Sequence, residues 1–174
     1  RFADWLNQNG VDVLVVDYRQ ASRLLPDTRE GKPGPRIARV VEHAVAHQRE
    51  LGRMDLRCDG AVIGWSLGGG GVWGLARRGS GAICGPIRAV GIYPAGRGQR
   101  EGVRATTAVH VFQGSEDEVT KAKSLQQFVA RSHDPRDIEV IILNGAKHGF
   151  DVSSLTQPAM DGRLLFDRDA SDAL

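Results

Sequence analysis

The sequence has 174 residues, 41% of them hydrophobic and 25% charged, which is typical of one globular domain and excludes wholesale disorder and collagen-like repeats. Its 23 basic and 21 acidic residues leave a net charge of +2, so the charge does not indicate a nucleic-acid partner. No apolar run approaches the roughly 18 residues that cross a bilayer, and we expect no membrane partner.

Strand and helix patterns alternate along the chain. Phe2, Trp5 and Leu6 fall on one helical face that ends at Asn9-Gly10. Short apolar runs predict five strands, at residues 11–17, 61–63, 89–93, 108–112 and 138–143. Helical periodicity predicts further helices from Pro35 onward, from the turn after residue 63 to about residue 78, and over residues 120–132. Strands that alternate with helices predict a mostly parallel sheet flanked by helices, the α/β class.

Both ends of the sequence resemble the interior of helices. Residue 1 is Arg rather than Met, and Asp167 is placed to cap a helix that has no stop signal before Leu174. We therefore expect residues 1–174 to be a single partial domain, with N-terminal strands and the end of a C-terminal helix missing; a frayed natural terminus is the alternative. Residues 20–35 and 94–106 are rich in Arg, Gly, Pro and polar residues, which predicts surface loops.

The clearest chemical motif is Gly64-Trp65-Ser66-Leu67-Gly68, which lies between a predicted strand and a predicted helix. In a G-x-S-x-G turn the serine has a strained backbone and its hydroxyl stands above the sheet edge, with the glycines leaving room for the bend. The amide of Leu67, at the start of the helix, points into the same space and can donate to an oxyanion. A tight glycine turn with an unreactive serine is the alternative interpretation.

A reactive serine needs a base, and the base needs an acid to orient it. Asp117 follows the fourth predicted strand and His148 follows the fifth. The carboxyl ends of parallel strands meet at one edge of a sheet, so we expect Ser66, Asp117 and His148 to converge there. The chain order Ser, Asp, His is that of α/β-hydrolases. Glu116 and Glu118 are alternative acids if the loop is shifted.

Four segments resemble the dienelactone hydrolase family of α/β-hydrolases: VDVLVVDYR its fourth strand, AVIGWSLGG its nucleophile segment, VFQGSEDEVT its acid loop and NGAKHGFD its histidine loop. The resemblance covers residues 10–174 and implies a partial α/β-hydrolase fold. It also implies that Ser66 is the nucleophile, Asp117 the acid, His148 the base and Leu67 an oxyanion donor. The implied reaction is hydrolysis of a small-molecule carboxylic ester or lactone through an acyl-enzyme, with no cofactor and no metal. The family's namesake has cysteine at the nucleophile position, so serine favours esters generally over dienelactones.

The same resemblance implies what this sequence does not contain. The family has strands before the first one predicted here, and a loop after its third strand supplies a second oxyanion amide that no part of this sequence matches. That third strand lies between the strands predicted at residues 11–17 and 61–63, so two strand edges would face a gap with unpaired backbone groups. We therefore expect residues 1–174 alone to be unstable or inactive, and the full-length protein to be the enzyme.

Three alternatives compete with hydrolysis. The glycines of Gly69-x-Gly71-x-x-Gly74 match a dinucleotide-binding pattern, but no acidic residue lies between Asp59 and Glu101 to hold a ribose; close packing of a helix on the sheet explains them better. His43 and His47 could share a metal, although the zincin pattern requires Glu directly after the first histidine. The third alternative is a non-catalytic, hydrolase-like binding protein.

We expect the remaining cysteines and histidines to have ordinary structural roles. Cys58 and Cys84 are too few for a disulfide framework or a zinc site, and reduced, partly buried thiols are expected. His110 lies inside a predicted strand and His133 follows the end of a predicted helix. The sequence favours a cytoplasmic location slightly and leaves export, the natural substrate and the oligomeric state open.

Overall fold

The computed structural model describes residues 2–24, 32–53, 60–78, 88–95 and 102–174. The helices in chain order are α1 Phe2–Gln8, α2 Tyr18–Leu24, α3 Pro33–Glu50, α4 Leu67–Arg78, α5 Ala122–Ala130 and α6 Arg168–Asp172. The strands are β1 Ala61–Trp65, β2 Arg88–Ile92, β3 Val109–Gly114 and β4 Ile138–Leu143, with a 3-10 turn over Pro135–Asp137 just before β4.

The four strands form one parallel sheet in the order β1-β2-β3-β4. They occupy four of the five segments predicted from the sequence, with ends displaced by at most 2 residues, and the α/β class is confirmed. Because the strands run in the same direction, the residues that follow β1, β3 and β4 emerge at one edge of the sheet.

The main core fills the space between the sheet and helices α4 and α5. Trp73 of α4 packs edge-on against Phe128 of α5, with ring centroids 4.9 Å apart. Val109 and Val111 of β3 bury their side chains in the same cluster. Alternate residues of a strand point to one face, which is why these two share the cluster. The packing of α4 and α5 on the sheet therefore supports the strands whose ends carry the candidate site.

One predicted strand is not formed. Residues 11–17 run between α1 and α2 without strand pairing, and the side chain of Val15 is 75% exposed. Leu14 packs against the small buried cluster that contains Ala38 and Val45. A β-strand forms only when its backbone hydrogen-bonds to a neighbouring strand. Within the described ranges β1 pairs with β2 and not with residues 11–17. The apolar run alone therefore does not produce the predicted strand.

The two predicted surface loops contain regular and buried structure. Part of the first is α2, Tyr18–Leu24, whose first turn is capped by the Asp17 carboxylate, and α3 begins at Pro33 rather than Pro35. In the second, Val103 is fully buried and Ala105 is 9% exposed, because both pack into the main core. The surface-loop prediction is wrong for these parts, and residues 25–31 and 96–101 lie outside the described residues.

The glycines of α4 bring it against α3. A Cβ added at Gly71 would lie 2.5 Å from Cγ2 of Ile37, and one at Gly74 would lie 2.8 Å from Cβ of Ala38. Both distances are shorter than real side chains tolerate, so the absence of side chains lets the two helices approach. The prediction that these glycines pack on the sheet is therefore wrong for Gly71 and Gly74, which contact α3. It holds for Gly69, where a Cβ would lie 3.1 Å from the carbonyl oxygen of Gly64 in β1.

Helices lie at both ends as the sequence patterns predict, but α6 ends at Asp172 with Ala173 as its C-cap, so the predicted continuation to Leu174 is wrong. Gly10, with φ of +77°, follows α1, and Oδ1 of Asp167 accepts a hydrogen bond of 3.1 Å from the amide of Ala170 at the start of α6. In the described part of the chain, no helix combines the length and apolar character needed to cross a membrane. Cys58 and Cys84 lie outside the described residues, so their predicted state stays a prediction.

Candidate active site

Ser66 occupies the turn between β1 and α4 with φ of +48°, a strained conformation for a residue with a side chain. This is the strain that the motif predicts. Gly64 is required, since a Cβ there would lie 2.5 Å from the carbonyl oxygen of Gly68. A Cβ on Gly68 would meet nothing within 4 Å. The expectation that both glycines make room for the bend is therefore correct for Gly64 and wrong for Gly68.

Neighbouring backbone holds this strained turn in place. The amide of Ser66 donates to the carbonyl oxygen of Ile92 at the end of β2, over 3.0 Å, and the carbonyl oxygen of Ser66 accepts from the amide of Ala95 over 2.7 Å. The same oxygen accepts from the amide of Gly70 in the first turn of α4, over 3.2 Å. Surrounding structure must over-determine such a conformation for it to persist, and these three bonds do so.

Asp117 lies on the loop after β3 with its side chain pointing inward. It is 3% exposed, whereas Glu116 and Glu118 are exposed. Its Oδ1 accepts hydrogen bonds from the amides of Val119 (2.8 Å) and Thr120 (2.7 Å). The loop therefore directs one of its three acidic side chains towards the site and leaves the other two in solvent.

Opposing effects act on the pKa of Asp117. Burial favours the neutral carboxyl and by itself raises the pKa. Hydrogen bonds from His148 and from the amide and hydroxyl of Thr120, together with the charge of His148, outweigh burial and lower the pKa below its ordinary value. The carboxylate is therefore ionised at neutral pH and can accept a hydrogen bond from a ring nitrogen that carries a proton.

His148 lies on the loop after β4 and joins the other two residues. Its Nδ1 is 2.8 Å from Oδ2 of Asp117, and its Nε2 is 3.0 Å from Oγ of Ser66. An ionised carboxylate can only accept, so the proton belongs on Nδ1, and Nε2 is left to accept from the serine hydroxyl. Gly145 and Gly149, with φ of +75° and +76°, give the loop the backbone that turns this ring inward.

Gln113 and Thr120 hold the Asp117 carboxylate in place and were not identified from the sequence. The Gln113 side chain is fully buried, and its Nε2 donates to Oδ2 of Asp117 (3.1 Å) and to the carbonyl oxygen of Thr120 (2.8 Å). The Thr120 hydroxyl donates to the same Oδ2 over 2.7 Å. One signal was available: Gln113 continues the alternation of Val109 and Val111, and a polar residue in that series faces the core.

Tyr93, Trp65 and Asp151 form a second polar group beside the histidine. The indole Nε1 of Trp65 donates to Oδ2 of Asp151, and the Tyr93 hydroxyl donates to Oδ1, each over 2.5 Å. The rings of Tyr93 and His148 have centroids 4.4 Å apart. No sequence pattern predicts this group, because its three residues lie far apart along the chain.

Leu67 is the first residue of α4. The first amides of a helix have no partner within the helix, and the helix dipole adds positive potential there. The Leu67 amide thus directly follows Ser66, at the position predicted for an oxyanion donor. A cleft of about 540 Å³ also includes Leu67; its other lining residues are Tyr18, Arg19, Arg23, Pro33, Arg36, Ile37 and Val40.

The competing residues lie elsewhere. His43 and His47 are exposed on α3, and within the described ranges no group of three or more His, Cys, Asp or Glu side chains could hold a metal. His110 pairs with Glu139 over 2.8 Å, and His133 is exposed after α5. None of these four histidines takes part in the contacts between Ser66, His148 and Asp117 described above.

The glycine pattern of α4 does not form a dinucleotide loop. Gly71 and Gly74 lie inside the helix, and the approach of α3 fills the space beside both. A pyrophosphate needs glycines in the turn before a helix, where the backbone is open to the ligand. The dinucleotide interpretation is therefore wrong.

Two solved structures show the same fold. An α/β hydrolase enzyme from a Medee basin deep-sea metagenome library is 20% identical, with a TM-score of 0.52, over 79% of this chain and 60% of its own. A dienelactone hydrolase-like promiscuous phosphotriesterase from metagenomic libraries is 21% identical, with a TM-score of 0.51, over 94% of this chain and 66% of its own. The chain therefore has an α/β-hydrolase fold and spans about two thirds of the length of these structures or less. No family model and no curated protein matches the sequence.

Proposed function

We propose that the protein is a serine hydrolase that cleaves carboxylic esters or lactones, related to the dienelactone hydrolases. One observation carries the proposal: Ser66, His148 and Asp117 form a continuous hydrogen-bonded line, with 3.0 Å between Oγ and Nε2 and 2.8 Å between Nδ1 and Oδ2. A nucleophile, a base and an orienting acid in contact are the arrangement that activates a serine hydroxyl.

In the proposed reaction, the first stage acylates the serine. Nε2 of His148 takes the hydroxyl proton as Oγ of Ser66 attacks the carbonyl carbon. Asp117 holds the Nδ1 tautomer and stabilises the imidazolium. The Leu67 amide donates to the oxyanion of the tetrahedral intermediate, and a donor of this kind contributes roughly 10²- to 10³-fold to kcat. The imidazolium then gives its proton to the leaving oxygen, and an acyl-serine remains.

The second stage releases the acyl group. Water loses a proton to Nε2 of His148 and attacks the acyl carbon, and the collapse of the second tetrahedral intermediate returns the proton to Ser66. Every proton transfer in both stages involves the same ring nitrogen, which lies within hydrogen-bond reach of the serine in the resting site. The proposed chemistry requires neither a cofactor nor a metal.

The substrate class is proposed from the cleft and the nucleophile. The cleft beside Leu67 combines the apolar side chains of Ile37 and Val40 with three arginines, and Ser66, Asp117 and His148 are not among its lining residues. Its apolar part fits the hydrocarbon part of a small ester. Serine in place of the family namesake's cysteine supports general ester hydrolysis. The similar phosphotriesterase is described as promiscuous, which supports testing a broad panel of substrates.

Labelling with a fluorophosphonate probe and hydrolysis of short nitrophenyl esters test this proposal in the full-length protein. Wild type should be labelled and should turn over esters. Ser66→Ala should lose the labelling and should lower kcat at least 10³-fold, towards the residual rate of the oxyanion hole and binding alone. Ser124→Ala, which removes an exposed hydroxyl on α5, is the matched control. An unlabelled, inactive wild type would instead support a non-catalytic binding protein.

A further inference from the structure

The Asp151 cluster consists of Trp65, Tyr93 and Asp151. Its carboxylate joins the ends of two strands: Trp65 is the last residue of β1, directly before Ser66, and Tyr93 directly follows β2. Asp151 itself lies three residues after His148. Each carboxylate oxygen accepts one hydrogen bond of 2.5 Å, one from the indole and one from the phenol. Charge-assisted bonds of this kind are stronger than bonds between neutral groups.

Tyr93 is the member of the cluster that contacts the base. The residue is 3% exposed, and its ring contacts the ring of His148, at a centroid distance of 4.4 Å, and that of Phe150, at 5.2 Å. The backbone of Tyr93 has φ of +37°, and its amide donates to the carbonyl oxygen of Phe112 over 2.7 Å. A buried, strained residue in contact with the site indicates a conformation that the surrounding structure enforces.

The tyrosine hydroxyl is a permanent donor in this arrangement. Burial raises the pKa of Tyr93 far above its ordinary value, and the hydrogen bond to Asp151 and the negative charges of Asp151 and Asp117 raise it further. The phenol therefore stays protonated at neutral pH. The bond to Asp151 holds the ring at its outer end, while the backbone holds it at the other.

We propose that Asp151 is a positioning residue for the reaction, which acts through Trp65 and Tyr93 to hold the nucleophile turn and the imidazole of His148 at their working separation. The inference rests on the proposed function. Asp117 reaches the far side of the imidazole through Nδ1, whereas the Asp151 cluster contacts its face and is anchored beside Ser66. The ring is thus held by two independent groups, and displacement of a reacting group by about 1 Å can cost about 100-fold in rate.

Asp151→Ala removes the acceptor for both donors, and Asp151→Asn is the conservative variant. An asparagine oxygen can accept from the indole while its NH₂ donates to the tyrosine oxygen, so the link is kept without the charge. We expect Asp151→Ala to lower kcat about 10- to 100-fold with KM within about twofold, and Asp151→Asn to recover part of the loss. Asp161→Asn, which alters an exposed carboxylate of the same C-terminal region, should match wild type.

A double-mutant cycle tests the link itself. If Asp151 joins Trp65 to Tyr93, the effects of Trp65→Phe and Tyr93→Phe on kcat are not additive, because either change opens the same bridge. Additive effects would overturn the inference. So would an Asp151→Ala enzyme that stays folded with kcat within about twofold of wild type, or a loss that appears in KM alone.

Nuclear magnetic resonance gives a readout that does not need activity. The Tyr93 ring current acts on the imidazole protons of His148 at the observed separation, and the Trp65 indole proton reports on its bond to Asp151. Both signals should move in Asp151→Ala and return towards wild type in Asp151→Asn; unmoved His148 signals would overturn the inference. A wild type that the fluorophosphonate probe does not label would refute the proposed function. The spectra would still show whether Asp151 positions Tyr93 and His148.

Discussion

Replacement of Asp117 by asparagine tests the acid at the level of single atoms. The Oδ1 position faces the backbone amides of Val119 and Thr120, which can only donate, so the asparagine oxygen must stay there. The NH₂ group then occupies the Oδ2 position, opposite Nδ1 of His148. Nδ1 must accept from it, the ring proton moves to Nε2, and Nε2 can no longer accept the proton of Ser66.

The other neighbours of Oδ2 can adapt to the new group. The Thr120 hydroxyl can rotate to accept from the NH₂. Gln113 loses one hydrogen bond: either Nε2 gives up its bond to residue 117, or Oε1, which is buried without a partner in the described structure, turns towards the NH₂ and the bond from Nε2 to the Thr120 carbonyl oxygen is lost. We therefore expect Asp117→Asn to fold with a small change in Tm. The wrong tautomer should lower kcat by about 10⁴-fold, which is about 5.4 kcal/mol of transition-state stabilisation.

Nitrophenyl ester hydrolysis and thermal unfolding of the same preparations measure the two effects. Glu116→Gln and Glu118→Gln are matched controls, because each removes an exposed carboxylate from the same loop and should leave kcat near the wild-type value. An Asp117→Asn enzyme with more than about a tenth of wild-type kcat would refute the tautomer argument. A large loss in either glutamine variant would show that the acid is misassigned.

Two further predictions concern stability. Gly64→Ala places a Cβ 2.5 Å from the Gly68 carbonyl oxygen, which should lower the free energy of unfolding by about 2 kcal/mol and Tm by about 4–8 °C. In Gly68→Ala the new Cβ meets open space, and alanine has the higher helix propensity, so Tm should not fall. Equal Tm values for the two variants would contradict this account of the turn. Because the pKa of Asp117 is lowered in the folded protein from an ordinary 3.8, its ionised form stabilises the fold above that pH, and this contribution is lost as the pH falls through the lowered pKa. The difference in unfolding free energy between wild type and Asp117→Asn should therefore change between about pH 5 and about pH 2, where the carboxylate is protonated; a difference that stays constant over that interval would refute the shift.

The sequence predicted the part of the fold that depends on local patterns. Four apolar runs became β1 to β4, and the helices between them follow their periodicity. The meeting of Ser66, Asp117 and His148 was also predictable, because each follows a strand and parallel strands end at a common edge. The order of motifs along the chain therefore predicted that His148 meets Asp117, 31 residues away, and Ser66, 82 residues away.

Sequence patterns could not decide which apolar runs find partners. Residues 11–17 have the composition of a buried strand and yet run unpaired, while Val103, in a segment that resembles a surface loop, is fully buried. The strained backbone of Tyr93, the buried amide of Gln113 and the bridge from Asp151 to Trp65 were equally hidden. Pairing, burial and side-chain bridges depend on what lies across the molecule. Neighbours along the chain determine periodicity and turn chemistry, whereas contacts between distant segments exist only once the chain has packed.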